Sequence, residues 1–536
     1  MRHAAAKLSA MGRVSFLAVS LLAHAPTGCR RVQGETRVRP IAAEAHPATQ
    51  PHAQAPAHAP ETPPVPARSS PWHVFAVSGA GDAEDNAIAH ERNVRFVLDA
   101  ATQLGVAADH THVLIADGED PAPDIHYEEP DPIERRRLYA LGLLQTGEAE
   151  SRNALARVIN HSVHGAAADL ATLESTLRSD ATANASVASP PPALFYVTDH
   201  GRDTRRHDDS FIVLWGTDDI DVRALGALFD LQPSQRRVVS VMSQCYSGAF
   251  SALVHEHGDP RRPLAAHDRC GFFAAPADRP SAGCTPETDE RHYDDYTTWF
   301  FAALGGRSRS GTAASDADRD GDGVVTYEEA HVYALIRDET TDVPVSSSEE
   351  YLRRTYAAWL ARSTAGRTTV GTFLASARPM VRDTAHALLT AAGLDDTVTF
   401  VSLARDARTR RARCAPALCE TLDALDAARS GAHTALRDAV LAHRIPGVIS
   451  ADATSLPAPA ADALVRAAQP YLGAIERLEE TADVLARADD RDEARLERIR
   501  RLAELAALEG HAREAGGDVL ANYERIRRCE GSSLAR

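Results

Sequence analysis

A histidine and a cysteine in this chain each stand just past a short apolar run and close before a glycine. The first run is Leu194-Phe195-Tyr196-Val197-Thr198-Asp199-His200-Gly201; the second is Val238 to Ser243, followed by Gln244-Cys245-Tyr246-Ser247-Gly248. A thiol attacks a carbonyl as thiolate, and an imidazole beside it can take the thiol proton and later hand it to the leaving amine. The residues after Cys245, Ala249-Phe250-Ser251-Ala252-Leu253-Val254-His255-Glu256-His257, read as a helix, whose N-terminal partial charge would lower the thiol pKa. Backbone N–H groups of Gly201 and Cys245 are the candidate donors to a developing oxyanion, with glycine at 201 letting the chain approach the substrate. Taken singly, a strand cysteine is ordinarily inert core, and one of 23 histidines is ordinarily a surface or satisfied group. The pair is more specific, because the two strand ends are alike and their separation accommodates one helix and one strand.

A second constellation is Asp318-Arg319-Asp320-Gly321-Asp322-Gly323-Val324-Val325-Thr326-Tyr327-Glu328-Glu329. It places oxygen donors at positions 1, 3 and 5 of a twelve-residue loop, glycine at 6, an aliphatic residue at 8 and glutamate at 12, which is calcium-loop spacing. Asp318, Asp320, Asp322 and Glu329 would ligate through carboxylates, Val324 through its carbonyl, and Thr326 directly or through water. The following residues read as an exit helix and the preceding ones as loop, so half of an EF-hand is expected, with calcium in a structural role. An acidic solvated turn accounts for the charge but not for Gly323 together with Glu329.

The elements that must position these groups alternate. Apolar runs at His73–Gly79, His112–Gly118, Ala193–Val197 and Arg237–Met242 are too short for free-standing helices, whereas Asn93–Ala101 and Leu170–Leu177, with a segment near Arg136–Leu144, have helical spacing. Strands alternating with helices predict an α/β class, a three-layer α/β/α sandwich around a mainly parallel sheet, with reactive groups at the carboxyl ends of strands. Past about Thr364 only helical periodicity remains: Leu472, Ile475, Leu478, Ala482 and Leu485, then Leu496, Ile499, Ala503 and Ala506, with a turn expected at Ala488-Asp489-Asp490-Arg491-Asp492 between them.

The motifs Tyr196-Val197-Thr198-Asp199-His200-Gly201 and Val239-Ser240-Val241-Met242-Ser243-Gln244-Cys245-Tyr246-Ser247-Gly248 resemble the catalytic motifs of the caspase and legumain clan of cysteine peptidases. The resemblance spans roughly Trp72 to Arg362, including the early strand and the helix start at His90-Glu91-Arg92-Asn93-Val94. It implies a caspase-hemoglobinase-like fold, His200 and Cys245 as a dyad, Gly201 as an oxyanion donor, and hydrolysis through a thioester without a catalytic cofactor. Tyr246 departs from the residues often found after the nucleophile, and the long insertion between Gly118 and Pro190 departs from compact members. Legumain-type proteins also carry a helical C-terminal pro-region over the active site; here the Arg405–Arg413 segment would be its cleavable junction, although no motif supports that reading.

The ends of the chain bear on location. Arg2, His3, Lys7 and Arg13 precede an apolar run from Val14 to Ala25, too short to cross a bilayer but suited to a secretory signal. Pro26-Thr27-Gly28-Cys29 resembles a lipobox in its last three positions, with Pro26 the departure, so an exported envelope lipoprotein tethered through lipidated Cys29 is set beside a plainly periplasmic or extracellular protein. Residues 1–28 read as signal, 29–71 as an Ala/Pro/His-rich disordered tether, 72–363 as a caspase/legumain-like peptidase domain and 364–536 as an all-α C-terminal domain that binds a partner or covers the active site. The 58 basic against 75 acidic residues leave a net charge of -17, which argues against nucleic acid as a partner and leaves a peptide or protein substrate. Seven cysteines are too few for a disulfide framework, so Cys270 with Cys284, and Cys414 or Cys419 with Cys529, are the pairings considered. The function expected is an exported cysteine endopeptidase, the rival a catalytically inactive, calcium-stabilised envelope scaffold or binding protein. A thiol-redox role is disfavoured, because Cys245 has no partner at C-x-x-C spacing.

Overall fold

The computed structural model describes residues 69–128, 140, 143–144, 156–204, 209–216, 218–283, 294–412, 415–443 and 457–535. The signal segment, most of the tether, Cys29, Cys284, Cys414, Arg413 and most of the Arg136–Leu144 segment lie outside them.

Alternation within short, fully apolar strands builds a sheet buried on both faces. The four predicted strands are present as β1 (His73–Ser78), β2 (Thr111–Ile115), β5 (Ala193–Val197) and β9 (Val238–Met242). They join β10 (Arg269–Phe273) and β11 (Val345–Ser346) in one six-stranded sheet of order β11-β10-β9-β5-β1-β2, parallel throughout except at the β10–β11 edge. Val74, Ala76, Leu194, Tyr196, Val239 and Val241 point into one apolar cluster, while Phe75, Val77, Phe195, Val197 and Met242 point into another. The first is covered by helices that include Ile88–Gln103, Tyr296–Gly305 and Tyr327–Arg337; the second by helices Leu170–Asn184 and Val222–Phe229. The result is a mixed α/β protein with a mainly parallel central sheet and helices on both faces. Two smaller units hang from it: an antiparallel pair of β3 (Ile125–Glu128) and β4 (Ala156–Ile159), and a three-stranded unit of β6 (Gly201–Arg202), β7 (Phe211–Val213) and β8 (Asp219–Asp221).

The chain after residue 364 is helical, as expected, and contributes to two clusters. Leu388, Ile499, Leu508 and Ile526 are buried in the same cluster as Val74 and Tyr196, while Leu425, Leu436, Leu464 and Leu472 build a separate one with Leu143. Three expectations are corrected. The turn at Ala488–Asp492 is absent: helix Ala458–Ala515 runs through it. That stretch holds no glycine or proline, and two of its three carboxylates are paired, Asp489 with Arg410 at 2.8 Å and Asp492 with Arg495 at 3.3 Å. Cys270 pairs with Cys529, 259 residues away, and not with Cys284. By the same bond Cys529 has neither Cys414 nor Cys419 as its partner; Cys270 lies inside β10 and the last helix, Gly517–Glu530, packs on that strand. Cys419 is also disulfide-bonded, to a residue outside the described set.

Candidate active site

The chain leaves β1 for β2 on one side and later adds β5 on the other, so the switch point of the sheet lies between the carboxyl ends of β1 and β5, where open α/β sheets hold ligands. Val197 of β5 pairs in register with Met242 of β9. His200 and Cys245 each follow three residues later, so the two motifs emerge side by side at the same end of adjacent strands.

Three backbone donors fix the loop before His200. The buried Asp199 carboxylate accepts from the N–H groups of Gly79 at 2.5 Å, Ala80 at 3.0 Å and His200 at 2.6 Å, tying the end of β5 to the end of β1. Burial pushes the Asp199 carboxyl up to about 7, against the opposing pull of His200 and of those N–H groups. His200 Nε2–H donates to the carbonyl of Asp85 at 2.8 Å. A carbonyl can only accept, so this bond puts the proton on Nε2 and makes Nδ1 the basic nitrogen. The ring of His90 meets that of His200 edge-on at 5.2 Å, and burial, then the proximity of His200, holds the His90 pKa well below its ordinary value, so His90 stays neutral.

Gly201 is required by close approach, but to the protein itself. A Cβ there would lie 2.0 Å from the carbonyl oxygen of Cys245. The two motifs therefore touch backbone to backbone, a stricter demand for glycine than the access for substrate expected from sequence.

The segment after Cys245 is helical, as expected, but wound more tightly than an α-helix. Tyr246 adopts a left-handed φ of 61°, and Ser247–Val254 is a 3₁₀ helix. The tightening follows from anchoring: Tyr246 N–H donates to the carbonyl of Arg279 and Gly248 N–H to that of Ala275, so the segment is drawn onto the loop after β10. A non-glycine residue held left-handed costs about 1–3 kcal/mol, and such strain persists where surroundings enforce it.

Several residues that sequence reasoning missed surround the thiol. Cys245 is fully buried, and the Ser281 N–H approaches Sγ at 3.4 Å while Ser281 Oγ donates to the carbonyl of Ser243 at 2.6 Å. The 276–283 segment is held from the long helix by two arms. Glu493 pairs with Arg279, whose carbonyl takes the Tyr246 N–H. Arg498, itself buried, donates to the carbonyl of Asp342 at 2.6 Å and to the carboxylate of Asp338 at 2.9 Å; Asp342 in turn accepts the N–H of Ala282 at 2.6 Å. No local sequence signal marks these partners: Glu493 lies 214 residues from Arg279, Arg498 lies 156 from Asp342, and even Ser281 lies 36 from Cys245.

Asp294, Asp338 and Asp342 share this buried region, and desolvation raises all three carboxyls above their ordinary range. Arg498 is the cation among them, so Arg498→Met is expected to destabilise the protein by about 3–5 kcal/mol, the cost of breaking a buried pair. Urea unfolding would measure it, with Asp338→Asn in the same background expected to restore part of the loss; no change in midpoint would refute the bracing role.

In the acidic loop, ligand atoms of Asp318, Asp320 and Asp322 lie within 4.8 Å of one another. Asp318 accepts the N–H groups of Gly321 and Gly323, and the left-handed φ of 84° at Gly323 explains glycine at the sixth position. Thr326 caps helix Tyr327–Arg337, the expected exit helix. Glu329 is buried and not part of the three-carboxylate group: its oxygens accept the N–H groups of Arg319, Asp320 and Thr326. The three aspartates thus fit a hard cation, and Glu329 closes the loop from beneath.

No protein-family model matches the chain, and no curated protein matches it. Among solved structures, a crystal structure of protein GSU0716 from Geobacter sulfurreducens is similar over 51% of this chain and 92% of that one, at 11% identity and a TM-score of 0.30. That likeness is too low to bear on function.

Proposed function

We propose that the chain is a cysteine endopeptidase of caspase/legumain type, with Cys245 as nucleophile and His200 as acid and base. The observation that carries the reading is the in-register emergence of both motifs from adjacent parallel strands, with Gly201 packed on the carbonyl of Cys245. Sγ attacks the scissile carbonyl carbon as its proton passes to His200; the C–N bond breaks as the imidazolium protonates the departing amine. Water, deprotonated by His200, then cleaves the thioester and regenerates the thiol. N–H groups of Gly201 and Cys245 are assigned to the oxyanion in both steps. The substrate is a peptide or protein, and export, with or without lipidation at Cys29, belongs to the same proposal.

A second reading, an inactive scaffold, draws on the complete burial of Cys245 beneath Ser281. An electrophilic peptide library varied at P1 separates the two. The peptidase reading expects covalent capture at Cys245 with at least one P1 residue, and absence of capture across the library at several pH values would overturn it.

The acidic loop is assigned one structural calcium, held through Asp318, Asp320 and Asp322, the carbonyl of Val324, Thr326, and Glu329 once it turns from the loop amides. The same loop is stitched to the chain end: Ser533 Oγ donates to the carbonyl of Val325 at 2.8 Å and Tyr327 N–H to that of Ser532 at 2.9 Å. Chelation is therefore expected to lower the melting temperature by several degrees and to speed amide exchange in residues 526–535, both restored by calcium; an unchanged melting curve would count against the assignment.

A further inference from the structure

The insertion after Gly118 brings together three side chains that the peptidase chemistry does not use. Asp117 sits beyond the end of β2 on a turn pinned by the Ala116 N–H to the carbonyl of Ser78 and by Gly118, whose Cβ would strike the Ala167 nitrogen at 2.5 Å. Asp124 enters β3 and His161 leaves β4, the two joined where the Asp124 N–H donates to the carbonyl of Ile159. Ligand atoms of all three lie within 4.8 Å of one another.

Their surroundings leave a charge to be met. Asp124 is fully buried and the side chain of His161 is 9% exposed. Asp124 accepts the His161 N–H at 2.8 Å and faces the His161 ring at Nδ1. Asp117 Oδ1 is buried with no N–H donor and no cation beside it, and the carboxyl it faces is that of Asp124. Among the described residues no arginine pairs with either carboxylate, and the chain's single lysine is Lys7. The contrast is a second cluster, His73, His112 and Asp180, where the buried Arg236 already pairs with Asp180 and supplies the positive charge.

We propose that Asp117, Asp124 and His161 bind one divalent transition cation, zinc by preference, which locks the root of the insertion to the end of β2. Two carboxylates and one imidazole are a mixed oxygen and nitrogen set that suits zinc better than calcium, and three protein ligands leave a position for water. The cation takes the place between His161 and Asp124 that a proton otherwise fills, and it gives the orphaned Asp117 oxygen a partner. The site adjoins the candidate active site without entering it: the carbonyl of Asp124 accepts the Asn86 amide at 2.9 Å, Asn86 Oδ1 meets His90 Nδ1 at 3.3 Å, and His90 meets the His200 ring.

Cobalt(II) is the probe, titrated into the full chain under saturating calcium so that the acidic loop is filled. Wild type is expected to bind one more equivalent than Asp117→Asn and than His161→Gln, with a visible absorption band that both variants lack. Histidines of the tether and the Asp180 cluster are common to all three proteins and cancel in the difference. Asp117 is partly exposed on its turn, so its variant should keep the metal-free melting curve. Equal stoichiometry and spectra in wild type and either variant would overturn the site, as would a band lost in His161→Gln alone. The readout requires no proteolysis, so an inactive protein leaves this test intact.

Discussion

Replacing Cys245 with alanine should abolish covalent capture by the electrophilic peptide and reduce hydrolysis by at least about ten-thousandfold, the scale on which loss of a catalytic nucleophile is felt. The fold should survive, because Cys245 to alanine removes one sulfur from a site whose neighbours are held by backbone bonds, including those of Ser243 and Tyr246. His200→Ala should fall nearly as far, since the proposed dyad acts as one unit in which losses do not add. Gly201→Ala separates geometry from chemistry. It keeps both reactive groups but inserts a methyl where 2.0 Å is open before the Cys245 carbonyl, so the strand ends must part. Activity should drop with some stability, about 1–3 kcal/mol of overpacking. A Cys245→Ala protein that still hydrolyses the library peptide would end the nucleophile assignment, and a fully active Gly201→Ala protein would end the close-approach argument.

The largest effect on stability is expected from the Cys270–Cys529 bond. It joins a central strand to the last helix across 259 residues, so its loss frees a long loop in the unfolded chain; removal of a native disulfide typically costs about 2–5 kcal/mol. Cys529→Ser and Cys270→Ser should each lower the melting temperature by several degrees. Reductant should do the same to wild type while leaving the serine variants nearly unmoved, apart from any effect through Cys419. The consequence reaches the acidic loop, because the residues after Cys529 hold Val325 and Tyr327. Scanning calorimetry with and without reductant checks this, and identical midpoints would show that packing of helix Gly517–Glu530 suffices alone.

Much of the site was legible because its signals are local. An apolar run of about five residues bounded by polar residues has few options besides a buried strand, and four such runs before residue 243 became β1, β2, β5 and β9. His200 and Cys245 were found from their places after two of those runs. The calcium-type loop was equally local, since its left-handed glycines and carboxylate spacing are properties of twelve consecutive residues. The expected helix after Cys245 is present in 3₁₀ form, because anchoring by Arg279 and Ala275, neither near in sequence, tightened it. Asp117, Asp124 and His161 were passed over because each is unremarkable alone.

The sequence by itself therefore determined four strands of the central sheet, the His200 and Cys245 pair as a candidate, and the loop spacing suited to a cation, because backbone period and turn chemistry act within about ten residues. Only the tertiary structure decided that Cys270 joins Cys529, that helix Ala458–Ala515 continues through its acidic stretch, and that Glu493 and Arg498 hold the cover over Cys245. Those outcomes depend on which distant faces become buried together, and a buried charge or thiol takes its partner from whatever packing places beside it.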